Sequence, residues 1–445
     1  MLNRFFKLDE HGTTIGRELQ AGLTTFAAMA YILVVNPDIL ANTGMDKGAL
    51  ITVTALTAAV ATTIMALMTN YPIALAPGMG INAFFTFTIC LTNHVPWQEA
   101  LGMVFVNGVV FLVLSVTGVR EKIVKAIPYA LKIAITCGIG LFIGFIGLKN
   151  GGVIVASPAT YVSHGDFTSP PVALCLAGIV LTAILVARRV PAAIVLGIGI
   201  VTIVGFFVPA GAGHFVTARP TGIFSTPNSI APVFFKLSFG FLKSWSTLQS
   251  ALPLILTLLL VDMFDNIGTL IGVAKRAGYL DRDGHLPKAG RALVADSTAT
   301  LLSALFGTST VVSYIESASG VEAGGRTGLT TITTAALMLL ALFLTPLILI
   351  VPAAATAPAL VVVGIFMMQS VVEIKMDDFT IAAPAVITIL AIPLTFSIAE
   401  GIGLGLITAA LLALATGKPR GFTPVGYAIA VVFFLDFFRI FPFSG

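Results

Sequence analysis

Charge is what this sequence lacks most. Only 10% of its 445 residues are Asp, Glu, Lys or Arg, against 57% hydrophobic residues, and its mean hydropathy is +1.02. A soluble chain would carry about a quarter charged residues, so a soluble globular fold is excluded. The net charge of +4 then reads as a topology signal and not as a nucleic-acid footprint. Histidine is also scarce. His11, His94, His164, His214 and His285 all fall in expected loops or segment ends, which leaves no central histidine for a proton relay. The three cysteines, Cys90, Cys137 and Cys175, lie in separate apolar runs without metal or redox spacing and read as small core residues. No metal and no cofactor is expected. The N-terminal MLNRFFKLDEHGTT is too short and mixed for a cleavable signal peptide, and Thr13 or Thr14 suits the cap of a helix starting near Ile15.

What is present is a series of apolar runs, each near the ~20 residues that cross a bilayer as a helix. They predict an all-α polytopic membrane protein of fourteen segments. The first is expected to end before Asn36-Pro37, and a long polar connection, Pro209 to Thr247, divides the chain into two halves of seven segments. Seven is odd, so the halves should be inverted relative to each other. Tyr427 to Phe441, which contains Asp436 and Arg439, is expected to lie at the interface and not to cross. With both termini cytoplasmic, eighteen of the 24 basic residues fall on the inner side, among them Arg120, Lys122 and Lys125, as the positive-inside rule requires.

Two segments do not read as ordinary helices. GTSTVVSYIESASGVEAGGRTG, Gly307 to Gly328, lies between long apolar runs yet is rich in Gly, Ser and Thr and carries Glu316 and Glu322. A carboxylate at membrane depth marks a functional site by default, and broken helix survives there only where it lines a cavity. The upstream stretch Ala76-Pro77-Gly78-Met79-Gly80-Ile81-Asn82-Ala83 is broken in the same way. Each break is third in its half, and paired interrupted segments at matching positions point to a transporter's substrate site.

Within the spans the acids that stand out are Asp262, Asp265 and Glu316. A spacing of three puts Asp262 and Asp265 near one helix face. The spans offer almost no buried base, which disfavours an anion. A neutral ligand rich in N–H donors suits carboxylates, which accept such bonds and can donate when protonated. Phe84, Phe85, Phe264 and Tyr314, near the breaks, could stack on a flat ring.

The pieces PGMGINAFF, VDMFDNIGTL and YIESASGVEAGGRTGL resemble those of the azaguanine-type purine permeases, within the nucleobase–cation symporters and the wider nucleobase-ascorbate transporter superfamily. The resemblance spans about Ile15 to Thr416. It implies two inverted seven-segment repeats, core and gate domains, and short extended pieces in segments 3 and 10. The implied division is core 15–118 and 248–345, gate 119–210 and 346–417, an extramembrane linker 211–247 and an interfacial tail 418–445. By the same resemblance Asp262 and Glu316 bind substrate, with Gly80 and Asn82 from segment 3. Thr24, Thr25, Phe26, Thr308, Ser309 and Thr310 are further lining candidates, and the proton falls to Asp262, Asp265 or Glu316.

The sequence thus predicts a transporter and not an enzyme: a proton-coupled purine permease of the inner (plasma) membrane, taking hypoxanthine, guanine or adenine. Its partners would be the base, a proton and the lipid bilayer, with no nucleic acid; dimerisation is left open. Sodium coupling and an anion transporter on the same fold are the alternatives. An intramembrane aspartyl protease is disfavoured because Asp262 and Asp265 share one helix.

Overall fold

Local signals set where the helices start. Thr14 is extended, and its side chain accepts from Arg17 N to open the first long helix. Asp46, Asp378 and Ser397 cap later helices by accepting from Ala49 N, Thr380 N and Glu400 N. Each cap satisfies one of the N–H groups that a helix start leaves without an internal partner.

The computed structural model describes residues 2–117, 128–211, 213–220, 222–279, 286–417 and 422–438, apart from the side chains at 264, 267, 268, 271, 275, 276 and 436. The basic patch Arg120, Lys122 and Lys125 and the residues at the expected boundaries 118/119 and 417/418 fall wholly or partly outside this range. Segment 1 comprises Ile15–Met29 and Ile32–Leu40, segment 2 is Lys47–Thr69 and segment 4 is Trp97–Thr117. Segments 5, 6 and 7 are Tyr129–Asn150, Pro170–Ala187 and Ala193–Gly205. Segments 8 and 9 are Trp245–Ala277 and Ala289–Phe306, and segment 11 starts with Gly328–Ala341. Segments 12, 13 and 14 are Ala353–Met368, Phe379–Thr395 and Ile398–Ala415. Among the described residues, nine helices are long and apolar enough to cross a membrane, and shorter apolar helices supply segments 3, 7 and 13.

Segments 3 and 10 are broken. Segment 3 is a strand, Leu75–Pro77, followed by a helix, Met79–Ala83, that widens into π-helical turns over Phe84–Thr92. Segment 10 is a strand, Val311–Ser313, followed by a half-helix, Ser317–Glu322. The strands pair antiparallel, Leu75 with Ser313, Ala76 with Val312 and Pro77 with Val311. Equivalent strands of two inverted repeats must meet antiparallel, so the pairing fits the inverted halves.

A two-stranded ribbon buried on all sides would leave its outer edges without partners, at a cost of several kcal/mol per group. Neighbouring segments close those edges. Thr62 of segment 2 bonds both Leu75 N and Leu75 O at 2.9 Å. Asn266 of segment 8 accepts from Ser313 N, and Thr300 of segment 9 donates to Val311 O. Beyond the ribbon ends, Gly78 N donates to Thr310 O and Tyr314 N to Ala74 O.

Two expectations change. Segment 1 does not stop before Asn36-Pro37; its helix runs through Pro37 to Leu40, and the interruption falls at Ala30–Tyr31. The buried Asn36 amide donates to Thr54 and Thr308, so neighbouring segments hold the chain helical across the proline. The connections also carry two hairpins the sequence reading lacked, Ile154–Ser157 with Tyr161–His164 and Pro209–Gly211 with His214–Phe215. The tail forms a helix, Pro424–Phe437.

Two packed groups emerge. Segment 11 packs on segments 1 and 2, and segment 9 on segments 2 and 4; segment 5 packs on 12 and 13, and segment 12 also on 6 and 7. At one face the groups touch. Phe87 of segment 3 meets Phe142 of segment 5 and Phe396, which links segments 13 and 14, edge-to-face at centroid distances of 6.3 and 5.6 Å. At the far end of segment 1, Asp38 pairs with Lys47 at 2.8 Å and accepts from Thr356 of segment 12 at 3.2 Å.

Candidate functional site

The site forms where the ribbon ends and the half-helices begin. Ser317 opens the half-helix of segment 10, and its Oγ accepts from Ala74 N beside the partner strand. Glu316 stands just before it. The backbone there is helical and the carboxylate does not cap the half-helix. It turns to segment 1, where Tyr31 Oη donates to its Oε1 at 2.6 Å. Tyr31 is 2% exposed, whereas Glu316 is half-buried and its neighbour Ile315 exposed. Tyr314 Oη donates to Pro77 O at 2.6 Å, tying the start of segment 10 to the break of segment 3.

The two acids of segment 8 part company. Asp262 is fully buried, and Asn107 of segment 4 donates to its Oδ2 at 3.1 Å. Asp265, half-buried, lies within electrostatic range of Glu316 and of Asp296 on segment 9. Three residues subtend only about 60° of helix, yet in a crowded bundle that suffices to give the carboxylates different neighbours. Asp265 therefore lies on the side of segment 8 that is within electrostatic range of Glu316, and Asp262 joins segments 8 and 4.

The other expected residues have contacts of their own. Asn82 is fully buried and its Oδ1 accepts from Ser309 Oγ, while its Nδ2 has no partner among the described residues. Thr308 is held by Asn36, and Thr310, also buried, has a hydroxyl without a partner among the described residues. Gly80 faces segment 5, where a Cβ would stand 2.7 Å from Ile139 Cγ2. Thr25 packs on the half-helix of segment 10; a Cβ on Gly320 would stand 2.0 Å from Thr25 Oγ1. Phe26 is half-buried against the core, as Thr24 is on the same turn. Phe84 and Phe85 are fully buried, and the side chain of Phe264 lies outside the described residues.

Several residues around the site escaped the sequence reading. Asp296 was signalled by a carboxylate inside an apolar run, the feature that marked the other acids. Asn107 and Asn266 carried only the weaker signal of an amide in a span. Glu18, an acid in the first turn of segment 1, is fully buried. Its carboxylate accepts from Arg326 N, from Thr327 N and Oγ1, and from Thr330 N and Oγ1. Arg326 then turns its guanidinium on Val321 O and Gly325 O at the end of the half-helix. Segment 1 thus grips both sides of the turn that follows Glu316. For Tyr31 no sequence signal existed, because a tyrosine in an apolar run is ordinary.

Comparison with known proteins agrees with this architecture. A permease family matches residues 16–404. The chain is 48% identical to a putative permease of Methanocaldococcus jannaschii, over 98% of each chain. It is 43% identical to a guanine/hypoxanthine permease of Bacillus subtilis, covering 98% of this chain and 99% of that one. It is 42% identical to an adenine permease of Escherichia coli, covering 98% and 95%. Among solved structures, the transmembrane domain of a cyanobacterial bicarbonate transporter superposes with a TM-score of 0.62 at 17% identity, covering 88% of this chain and 98% of that one. A murine Solute Carrier 26 anion transporter in the inward-facing state gives 0.61 at 12%, covering 90% and 68%. Those likenesses carry the fold alone: two inverted repeats of seven segments. The full-length relatives and the family match show that the chain is a multi-pass transporter, not an enzyme, and that it belongs to the permease family of the nucleobase-ascorbate transporters.

Proposed function

We propose that this chain is a proton-coupled purine permease that imports hypoxanthine, guanine or adenine by alternating access. The observation that carries the reading is that segment 8, with Asp265, packs on the strand and half-helix of segment 10, which brings Asp265 within electrostatic range of Glu316 at the end of the paired ribbon. Purines present ring N–H donors, which carboxylates accept. The substrate class comes from the relatives: the Bacillus subtilis relative is a guanine/hypoxanthine permease and the Escherichia coli one an adenine permease.

In this reading Glu316 and Asp265 contact the base, and Asn82 and Thr310 offer donors from the ribbon side. Asp262 anchors segment 8 through Asn107, and Asp265 carries the proton. Segments 1–4 and 8–11 form the moving core and the remainder the gate, with the protein in the plasma membrane and both termini cytoplasmic. Odd-numbered segments then run outward, which places the Phe87–Phe142–Phe396 cluster and the Asp38–Thr356 contact at the outer face. The outer path is shut there, and Glu316 is half-buried.

The test is uptake of labelled hypoxanthine into vesicles holding the purified protein, with unlabelled bases as competitors. An inward proton gradient should drive accumulation without sodium, and guanine or adenine should compete. Uptake that survives collapse of the proton gradient but needs sodium replaces the coupling ion; failure of every purine to compete removes the substrate class.

A further inference from the structure

We propose that Tyr31 is the positioning residue of the transport site: its hydroxyl holds one oxygen of Glu316 so that the other is presented to the substrate. The proposal rests on the reading that Glu316 binds the base.

Glutamate has three rotatable side-chain bonds, and Glu316 is half-buried beside the exposed Ile315. A substrate would have to freeze that freedom on binding, at a cost of up to about tenfold in affinity. Tyrosine has two rotatable bonds, and Tyr31 is buried on all sides. Among the described residues it is the one side chain that hydrogen-bonds the Glu316 carboxylate, from 285 positions away in sequence. A rigid donor on a movable acceptor is how a site is held ready before its ligand arrives.

The surroundings favour positioning over mere parking of a buried hydroxyl. Tyr31 lies where segment 1 is interrupted, between the helix ending at Met29 and the one starting at Ile32. Below it, segment 1 is fastened to the far side of the half-helix. Glu18 binds the start of segment 11, and Thr25 and Ala21 pack on Gly320 and Gly325. Segment 1 and the half-helix therefore form one frame, and Tyr31 reaches from that frame to the residue at its open end. Tyr314 is also within electrostatic range of Glu316 and Asp265. Its own hydroxyl is committed to Pro77 O, which leaves Tyr31 as the phenol that engages the acid.

Tyr31→Phe keeps the ring and removes the donor. Binding of hypoxanthine to the purified protein should weaken by up to about tenfold, the cost of freezing the released Glu316 side chain on binding. Melting of the ligand-free protein should fall only slightly, as for the loss of one half-buried hydrogen bond. Infrared difference spectra supply a readout that packing alone would not move. The carboxyl stretching band that vanishes in Glu316→Gln should be shifted in Tyr31→Phe. Wild-type affinity in Tyr31→Phe would overturn the proposal. So would weaker binding with an unmoved band, since that pattern describes a residue that acts through packing alone. Wild-type affinity in Glu316→Gln would instead overturn the placement of the substrate, and this proposal with it.

Discussion

Replacing Glu18 tests how the half-helix of segment 10 is held. Its carboxylate has no exposure and takes five hydrogen bonds from Arg326, Thr327 and Thr330 on one turn. Oε1 takes Arg326 N at 2.9 Å, and Oε2 takes the four donors of Thr327 and Thr330 at 2.6–3.2 Å. The start of segment 11 depends on this. Gly328 N goes to Asn70 Oδ1, Leu329 N to Thr327 Oγ1 and Thr330 N to Glu18. Glu18→Gln keeps the shape, but its amide puts N–H against the N–H of Arg326 and removes the charge that strengthens the other bonds. Charge-assisted bonds exceed neutral ones by about 1 kcal/mol each, with incomplete additivity, so the loss should be about 3 kcal/mol. Glu18→Ala leaves all five donors short and should cost about 4 kcal/mol or more. Thermal unfolding of the purified protein in detergent measures both, with the order wild type, Gln, Ala. A Glu18→Gln protein that melts like wild type would refute the reasoning, because five donors around a buried carboxylate could not then be what fixes this turn.

Four further outcomes follow from the geometry. Gly320→Ala places a methyl 2.0 Å from Thr25 Oγ1 and 2.8 Å from Ala21 O; it should destabilise by about 1–3 kcal/mol, and Thr25→Ala in the same chain should recover part of the lost melting temperature. Asp265→Asn should abolish accumulation of base against its gradient. Asn107→Ala, which strips a donor from the buried Asp262, should cost about 1–3 kcal/mol of stability and leave accumulation measurable, with vesicle uptake and melting separating the two. Thr356→Val keeps the side-chain shape but removes the hydroxyl that donates to Asp38. At about 1 kcal/mol, it should shift the balance toward opening at that face by about fivefold. Thiol labelling of the buried Cys90, with Cys137 and Cys175 replaced by Ala, should speed up accordingly.

The sequence by itself determined the solvent, the number and order of segments, and the place of both breaks. Those are local matters: apolar length is read along the chain, and Pro77-Gly78 or the Gly-Ser-Thr run around Glu316 cannot sit in lipid as plain helix. It also marked Asp262, Asp265 and Glu316, because a carboxylate in an apolar run is visible without a fold. Only the tertiary structure decided what each acid faces. A turn of helix separates Asp262, against Asn107, from Asp265, toward Glu316, and spacing of three cannot say which neighbour stands on which side. The same holds for the continuation of segment 1 through Pro37, which depends on Thr54 and Thr308 holding Asn36. Glu18 and Tyr31 lie 308 and 285 positions from the groups they bind. Partners that distant leave no periodicity to read, because which buried donor meets which buried acceptor is settled only when inverted halves pack together.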